Sequence, residues 1–457
     1  MTKSVVSYAK LFTALLLSAS IIFAQPAAFA ASVAPVATVA VAASQEDGVP
    51  QYKQFLQEKY NVKLEGEITK GQFINAIASV LKVKPSGKEV VFTDVKETDA
   101  LFPAAAALYE EGILTGPAFQ GEETLTNVVA ISIAVRAADL KELAYTYPAT
   151  KVNKVLSAIN VNGSTLGTKV AQELALAVDT GLLPAEFYAN FKPKGIASEQ
   201  LINTLAGKVL ITKGLYKQYI GYVNDADIYN KLNSAYKTSD IIDAPKLQKI
   251  VNTALEQELI TGYSIKDLRF EPNFIPSLAL SYGHSNYKHA VQLIGLLRSE
   301  GLNAKVQFEP KTSAFLHLAE WGDPGPNVVK IANGNYIAYA KEYDLKFEFA
   351  TVADKAAFDA VIEKYAKKNE DGQTGLIASS WWQPLYYSAT ELNGYAQITN
   401  NQITDADSPY TVNPYSLNEN SEKVIAGLKA IDPDVTIKPV KFWVDLPFFR
   451  YLHGESK

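Results

Sequence analysis

Apolar positions in the first half of the chain recur at helical spacing. Phe73, Ile74, Ile77, Ala78 and Leu81 fall on one face of a helix, as do Leu201, Leu205, Val209 and Leu210. Three amphipathic stretches end in a glycine beside an apolar pair: Gly112-Ile113-Leu114-Thr115-Gly116, Gly181-Leu182-Leu183-Pro184 and Leu259-Ile260-Thr261-Gly262. A glycine there adopts the left-handed conformation that terminates a helix, and the apolar pair folds back onto the last turn. The second and third exits lead to Phe191-Lys192-Pro193 and Phe270-Glu271-Pro272, where proline enforces an extended approach and phenylalanine anchors a core. Helix pairs of this kind need neighbours to bury their inner faces, so the pattern predicts a helical repeat domain over residues 51–276. Its third unit is expected to start near Lys246, with the N-terminal helix closing the ring beside it.

After Pro276 the pattern alternates between strands and helices. Strands are predicted over 278–282, 304–308, 343–350 and 374–380, and helices over 288–300 and 353–367. That order, βαβ followed by βαβ, predicts an α+β, ferredoxin-like C-terminal domain over residues 277–457. A helix over 421–430 and strands around 435–437 and 441–444 are expected to extend its sheet. The Asn- and Thr-rich stretch holding Asp405 and Asp407 reads as a loop.

The first fifty residues fit neither pattern. Lys3 and Lys10 precede an apolar run over 11–23 and the triplet Ala28-Phe29-Ala30, the order of a secretory signal peptide over residues 1–30. The run is shorter than the ~20 residues a membrane-spanning helix needs. Residues 31–50, rich in Ala, Val, Pro and Thr, read as a flexible linker. A net charge of −5 without a basic block excludes nucleic acid and anionic lipid as natural partners, and no membrane contact is expected once the signal is cleaved. The chain has no cysteine, so disulfides, thiol nucleophiles and thiolate metal sites are excluded, and an exported protein of this kind is held by its core alone.

Phe92-Thr93-Asp94-Val95, the apolar stretch 104–108, the glycine exit at 112–116 and Leu125-Thr126 opening a helix together resemble an S-layer homology repeat. The resemblance is good over 92–140, fair over 66–83 and degenerate over 150–272. It implies an all-α, pseudo-threefold bundle that attaches exported proteins to secondary cell-wall polysaccharide of Gram-positive bacteria. In that family an Ile/Leu-Thr-Arg-Ala-Glu motif opens the second helix, its arginine suited to an anionic, pyruvylated sugar. The matching positions here read Ile68-Thr69-Lys70-Gly71-Gln72, Leu125-Thr126-Asn127-Val128-Val129 and Ile196-Ala197-Ser198-Glu199-Gln200. Thr69, Lys70, Thr126 and Asn127 are the polymer-binding residues the resemblance implies. Only Lys70 keeps a positive charge, so wall binding is expected to be weak or lost.

Chemistry-bearing residues concentrate in the C-terminal third. Trp321, Trp381 and Trp382 are candidates for carbohydrate or partner contact, and equally for plugging a core. His284, His289 and His317 lie near Glu320, but a spacing of five between the first two is off one helical face, so no metal site is predicted. Asp405 and Asp407 offer hard oxygen ligands for calcium or are solvated loop acids. Ser285 is expected to cap the following helix. No Gly-x-Ser-x-Gly elbow, P-loop or His-Glu-x-x-His occurs, and no cofactor is predicted. The reading is a secreted, non-catalytic cell-surface protein associated with the wall, whose C-terminal domain binds an extracellular partner or self-assembles. Two others stay open: a glycan hydrolase using Glu320 or Asp323 as acid and base, and a structural subunit of a surface layer or fibre.

Overall fold

Among the described residues the first half of the chain forms eight helices: α1 Val49–Tyr60, α2 Lys70–Leu81, α3 Phe102–Glu110, α4 Asn127–Ala137, α5 Lys141–Tyr145, α6 Ala149–Ser157, α7 Thr168–Asp179 and α8 Glu199–Thr212. The computed structural model describes residues 47–457 except 240–241, 366–385, 407 and 456–457. The described residues belong to one compact unit.

Helix starts follow local chemistry. The Thr69 hydroxyl accepts the Gln72 N–H at 3.2 Å while the Gln72 side chain accepts the Thr69 N–H at 2.8 Å, a reciprocal cap for α2. Ser198 accepts the Leu201 N–H at 3.2 Å to start α8. Gly112 and Gly181 take φ values of +67° and +69° where α3 and α7 stop, a conformation that penalises a Cβ. The three helices α2, α4 and α8 pack on one another, and outer helices fill the grooves: α3 on α2, α7 on α4 and α1 on α8. Phe73, Ile74, Ile131, Val135, Leu201 and Leu205 are buried in the shared apolar core. At the α1–α8 crossing a Cβ on Gly207 would stand 2.2 Å from the Tyr52 ring, so glycine permits the approach.

The remainder builds strands β1 Gly221–Tyr222, β2 Gly262–Asp267, β3 Ala279–His284, β4 Ala304–Leu316, β5 Val328–Lys330, β6 Tyr336–Phe349, β7 Tyr386–Ser388, β8 Ala396–Thr404, β9 Tyr410–Ser416 and β10 Thr436–Val444. Helices α9 Ile228–Thr238, α10 Pro245–Glu256, α11 Tyr287–Ser299, α12 Val352–Tyr365, α13 Ser421–Ile431 and α14 Leu446–Leu452 accompany them. The strands run β4-β2-β9-β8-β10-β7-β3-β6 and return to β4, every neighbour antiparallel, with β1 and β5 added at the margins. This is a closed eight-stranded barrel. The expected ferredoxin-like α+β domain is therefore incorrect.

The physical reason is the direction the strands face. Along β4 and β6 the directly opposed pairs Lys305–Glu348, Gln307–Lys346, Glu309–Asp344 and Lys311–Glu342 alternate with Val306–Phe347 and Phe308–Leu345. The apolar set packs outward with Leu293 and Leu297 of α11 and Phe358 of α12, and on another flank Ile265, Ile403 and Val412 pack with residues of α10 and α13. The polar set points into the interior, where Glu309, Lys311, Glu342, Asp344 and Glu348 are all buried. Alternating strands of this kind are thus covered on both sides, by helices outside and by one another's polar side chains inside.

Two local differences follow. Residues from Lys246 onward, expected as a third helix-pair unit, form α10, which packs against the barrel, and β2, one of its strands, not a helix pair within the helical core. Asn286, not Ser285, caps α11, accepting the Lys288 N–H at 2.9 Å. The strand expected over 374–380 lies outside the described residues, as do the signal peptide and most of the linker.

Candidate functional site

Two loops cross the starts of α2 and α4 and consume their free backbone donors. The Lys70 and Gly71 N–H groups bond to the carbonyls of Glu123 and Gly121 at 2.9 and 2.8 Å, and those of Asn127 and Val128 bond to Gly195 and Pro193 at 2.8 and 2.9 Å. The strand-like residues just before the helices are tied in series, Leu125 N–H to Ile68 carbonyl at 3.0 Å and Ala197 N–H to Leu125 carbonyl at 2.8 Å, with isolated bridges at Thr69–Thr124 and Thr126–Ile196. The helix dipole remains at these ends, but the donors that would normally meet an anion are already occupied.

Side chains must therefore carry any recognition. Lys70 is half-buried and, among the described residues, has no carboxylate within 4 Å. Burial pushes its ammonium pKa down, Glu123 and Asp94 pull it back up, and Arg136 adds to the downward push. Asp94 is fixed by the Phe119 and Gln120 N–H groups at 2.7 and 2.6 Å, and those bonds hold its carboxyl below the usual range. Asn127 donates to the Lys192 carbonyl at 2.9 Å and so ties down the neighbouring loop. Thr69 serves as a cap, and Thr126 begins α4 without a side-chain cap bond.

Arg136 is a second cation that sequence reasoning missed. It sits in the last turn of α4, where the motif at the helix start gave no hint of it. Its guanidinium pairs with the fully buried Glu173 at 2.7 and 3.1 Å and reaches the Ile113 carbonyl and Thr115 hydroxyl of the glycine exit at 3.3 and 3.2 Å. Tyr145 also donates to Glu173, at 2.9 Å. A buried carboxylate with a bidentate arginine and a tyrosine is satisfied and stiff.

The other sequence candidates disperse. Trp321 is half-buried, stacks on Tyr451 of α14 at 5.7 Å and meets the His317 ring edge-on at 5.4 Å. Trp381, Trp382 and Asp407 lie outside the described residues. His317 bonds the Gly322 carbonyl at 3.1 Å, away from His284 and His289, which do meet: their imidazole nitrogens stand 2.9 Å apart. His284 closes a strand while His289 rides the next helix, so a five-residue spacing spans a corner and helical periodicity does not apply. Asp405 pairs with Lys246 at 2.9 Å, and Glu320 and Asp323 are exposed. Among the described residues no three metal-capable side chains converge, and no helix is long and apolar enough to cross a membrane.

Residues 91–126 match the S-layer homology domain, covering α3 and the loop that leads to α4. Such domains generally bind secondary cell-wall polymers, and the match implies association with the cell surface or wall. No curated protein matches the chain.

Proposed function

We propose that this is an exported, non-catalytic cell-surface protein, with residues 1–30 as its signal and 31–50 as its linker. Its helical region holds secondary cell-wall polysaccharide weakly through Lys70, with Thr69, Thr126 and Asn127 shaping the surface around it. The units carrying α2, α4 and α8 are degenerate copies of one S-layer homology repeat, and the barrel faces an extracellular partner. The observation that carries the reading is the domain match at 91–126, which ends at the start of α4 beside an ammonium group with no ion-pair partner of its own among the described residues. An anionic sugar would supply that missing charge, and a charged hydrogen bond of this kind is worth ~1.5–3 kcal/mol.

Co-sedimentation of the full chain with purified Gram-positive cell walls tests it. The unaltered protein is expected in the pellet, and Lys70→Ala is expected to bind about tenfold more weakly, the equivalent of ~1.4 kcal/mol. If both stay in the supernatant, the attachment role is wrong. Equal pelleting of both would remove Lys70 from it.

A further inference from the structure

We propose that the barrel interior is a binding site for a single neutral, polyhydroxylated ring of monosaccharide size, held by the amide cluster of β8 and β9 over an aromatic floor.

The interior is not filled by its side chains. A cavity of about 170 Å³ lies between β2, β4, β6 and β7 on one side and β8, β9 and β10 on the other. That is below the ~300–1,000 Å³ of sites for drug-sized ligands, which confines the occupant to one small ring. Leu268, 45% exposed, and Glu271, whose side chain is 42% exposed, stand at its rim and leave it open to solvent.

The lining dictates the chemistry. Both lysines in the cavity wall are matched by carboxylates: Lys346 lies 3.1 Å from Glu271 and 3.3 Å from Glu309, and Lys266 lies 3.0 Å from Glu309 and also pairs with Asp344. A charged ligand would have to break one of these pairs in a poorly solvated space and leave its partner uncompensated. A neutral ligand does not.

The opposite wall is uncharged and rich in hydrogen-bonding groups. Asn413 receives the Asn400 side-chain N–H at 2.8 Å, which orients the two amides and turns the Asn400 carbonyl oxygen away from Asn413. That Asn400 Oδ1 is buried and has no hydrogen-bond partner among the described residues. An unmet buried acceptor is costly to leave unpaired, and Asn400 lines the cavity, so a small rotation of its amide lets a ligand hydroxyl donate to it. Gln402 and Thr411 add further donors and acceptors beside it. Tyr387, Tyr415 and Phe442 form the floor, with Phe442 5.8 and 5.7 Å from the two tyrosines, and present the apolar faces that the C–H side of a sugar ring packs on. Amides for hydroxyls, aromatic faces for C–H groups and balanced charge converge on a neutral sugar. This site is separate from the Lys70 surface, so it stands or falls independently of the wall-binding reading.

Calorimetric titration of the full chain with glucose, galactose and N-acetylglucosamine, and with glycine and inorganic phosphate as charged counterparts, tests the proposal. Saturable binding of at least one sugar is expected, with no heat from glycine or phosphate. Asn400→Leu is expected to weaken that binding at least tenfold. Should that variant fail to fold, Val440→Trp, which narrows the cavity from the half-exposed β10 side, is expected to abolish binding with an unchanged melting temperature. Absence of binding by all three sugars at millimolar concentration overturns the proposal, as does preferential binding of glycine or phosphate. Undiminished sugar binding by both variants places the ligand elsewhere and overturns it as well.

Discussion

The two halves of this molecule bury opposite things. The helical region turns apolar faces inward, and its one deeply buried carboxylate, Glu173, is held by Arg136 and Tyr145. The barrel turns its apolar faces outward against helices and stores charge inside, with Lys266, Lys311 and Lys346 threaded among Glu309, Glu342 and Asp344. Burial of apolar area stabilises both, but in the barrel the outer face meets two apolar clusters while the inner face adds only the aromatic group around Phe315, Tyr415 and Phe442. The charged part of that inner face is close to neutral energetically and specific in what it admits, because each ion pair must offset its own desolvation.

The sharpest way to break this contrast is Lys266→Met. It leaves Asp344, fully buried, and Glu309 short of one cation, and an expected loss of about 3–5 kcal/mol should appear in urea unfolding. Replacing Lys266 and Asp344 together with apolar residues should cost less than the single change, showing that the network selects and does not simply stabilise. In the helical half the corresponding weakness is steric. Gly207→Val should drive the Tyr52 ring from the α1–α8 crossing and cost up to about 3 kcal/mol, read in the same unfolding series.

The outer barrel surface carries a histidine pH dependence, and the helical half has no histidine. Burial first, and the neighbouring His289 second, lower the His284 pKa to about 3 from the ordinary imidazole value of 6.5. Between those values the unfolded chain binds the extra proton, so the contribution is complete above pH 6.5 and is lost as pH falls towards 3. From pH 6.5 to 5 the loss should be on the order of 2 kcal/mol, and His284→Asn should flatten that part of the stability–pH curve. The smallest effect is expected at the α2 cap, where Thr69→Ala should cost about 1 kcal/mol and leave the barrel's behaviour unchanged.

The same contrast explains what could be foreseen. Helical periodicity finds an apolar face and, in the first half, that face meets other helices, so Phe73, Ile77, Leu201 and Leu205 were legible as core. In α10 the periodic set Leu247, Ile250, Val251 and Leu255 was equally legible, but periodicity names a face and not its partner, and the partner is the sheet. Strands β8 and β9 were hidden because Asn400, Gln402, Thr411 and Asn413 make a polar inner face look like a loop. The cavity was hidden with them. Lys70 was readable from its place in a motif, whereas Arg136 reaches the same neighbourhood from the far end of a helix, and only the fold brings the two near each other.

Strand β10 lies between β8 and β7, and α14 follows it directly, its Tyr451 hydroxyl bonding the Thr261 and Leu316 carbonyls at 3.1 and 2.9 Å. A chain delivered from its amino terminus can assemble the helical bundle once residue 212 has emerged, but the barrel wall keeps a gap until residue 444 arrives. During delivery the unpaired edges of β7 and β8 flank that gap and offer a template to any passing strand. The lysines and carboxylates that later line the lumen would then face water, a charged lining that discourages intermolecular pairing in the interval before the last stave is set.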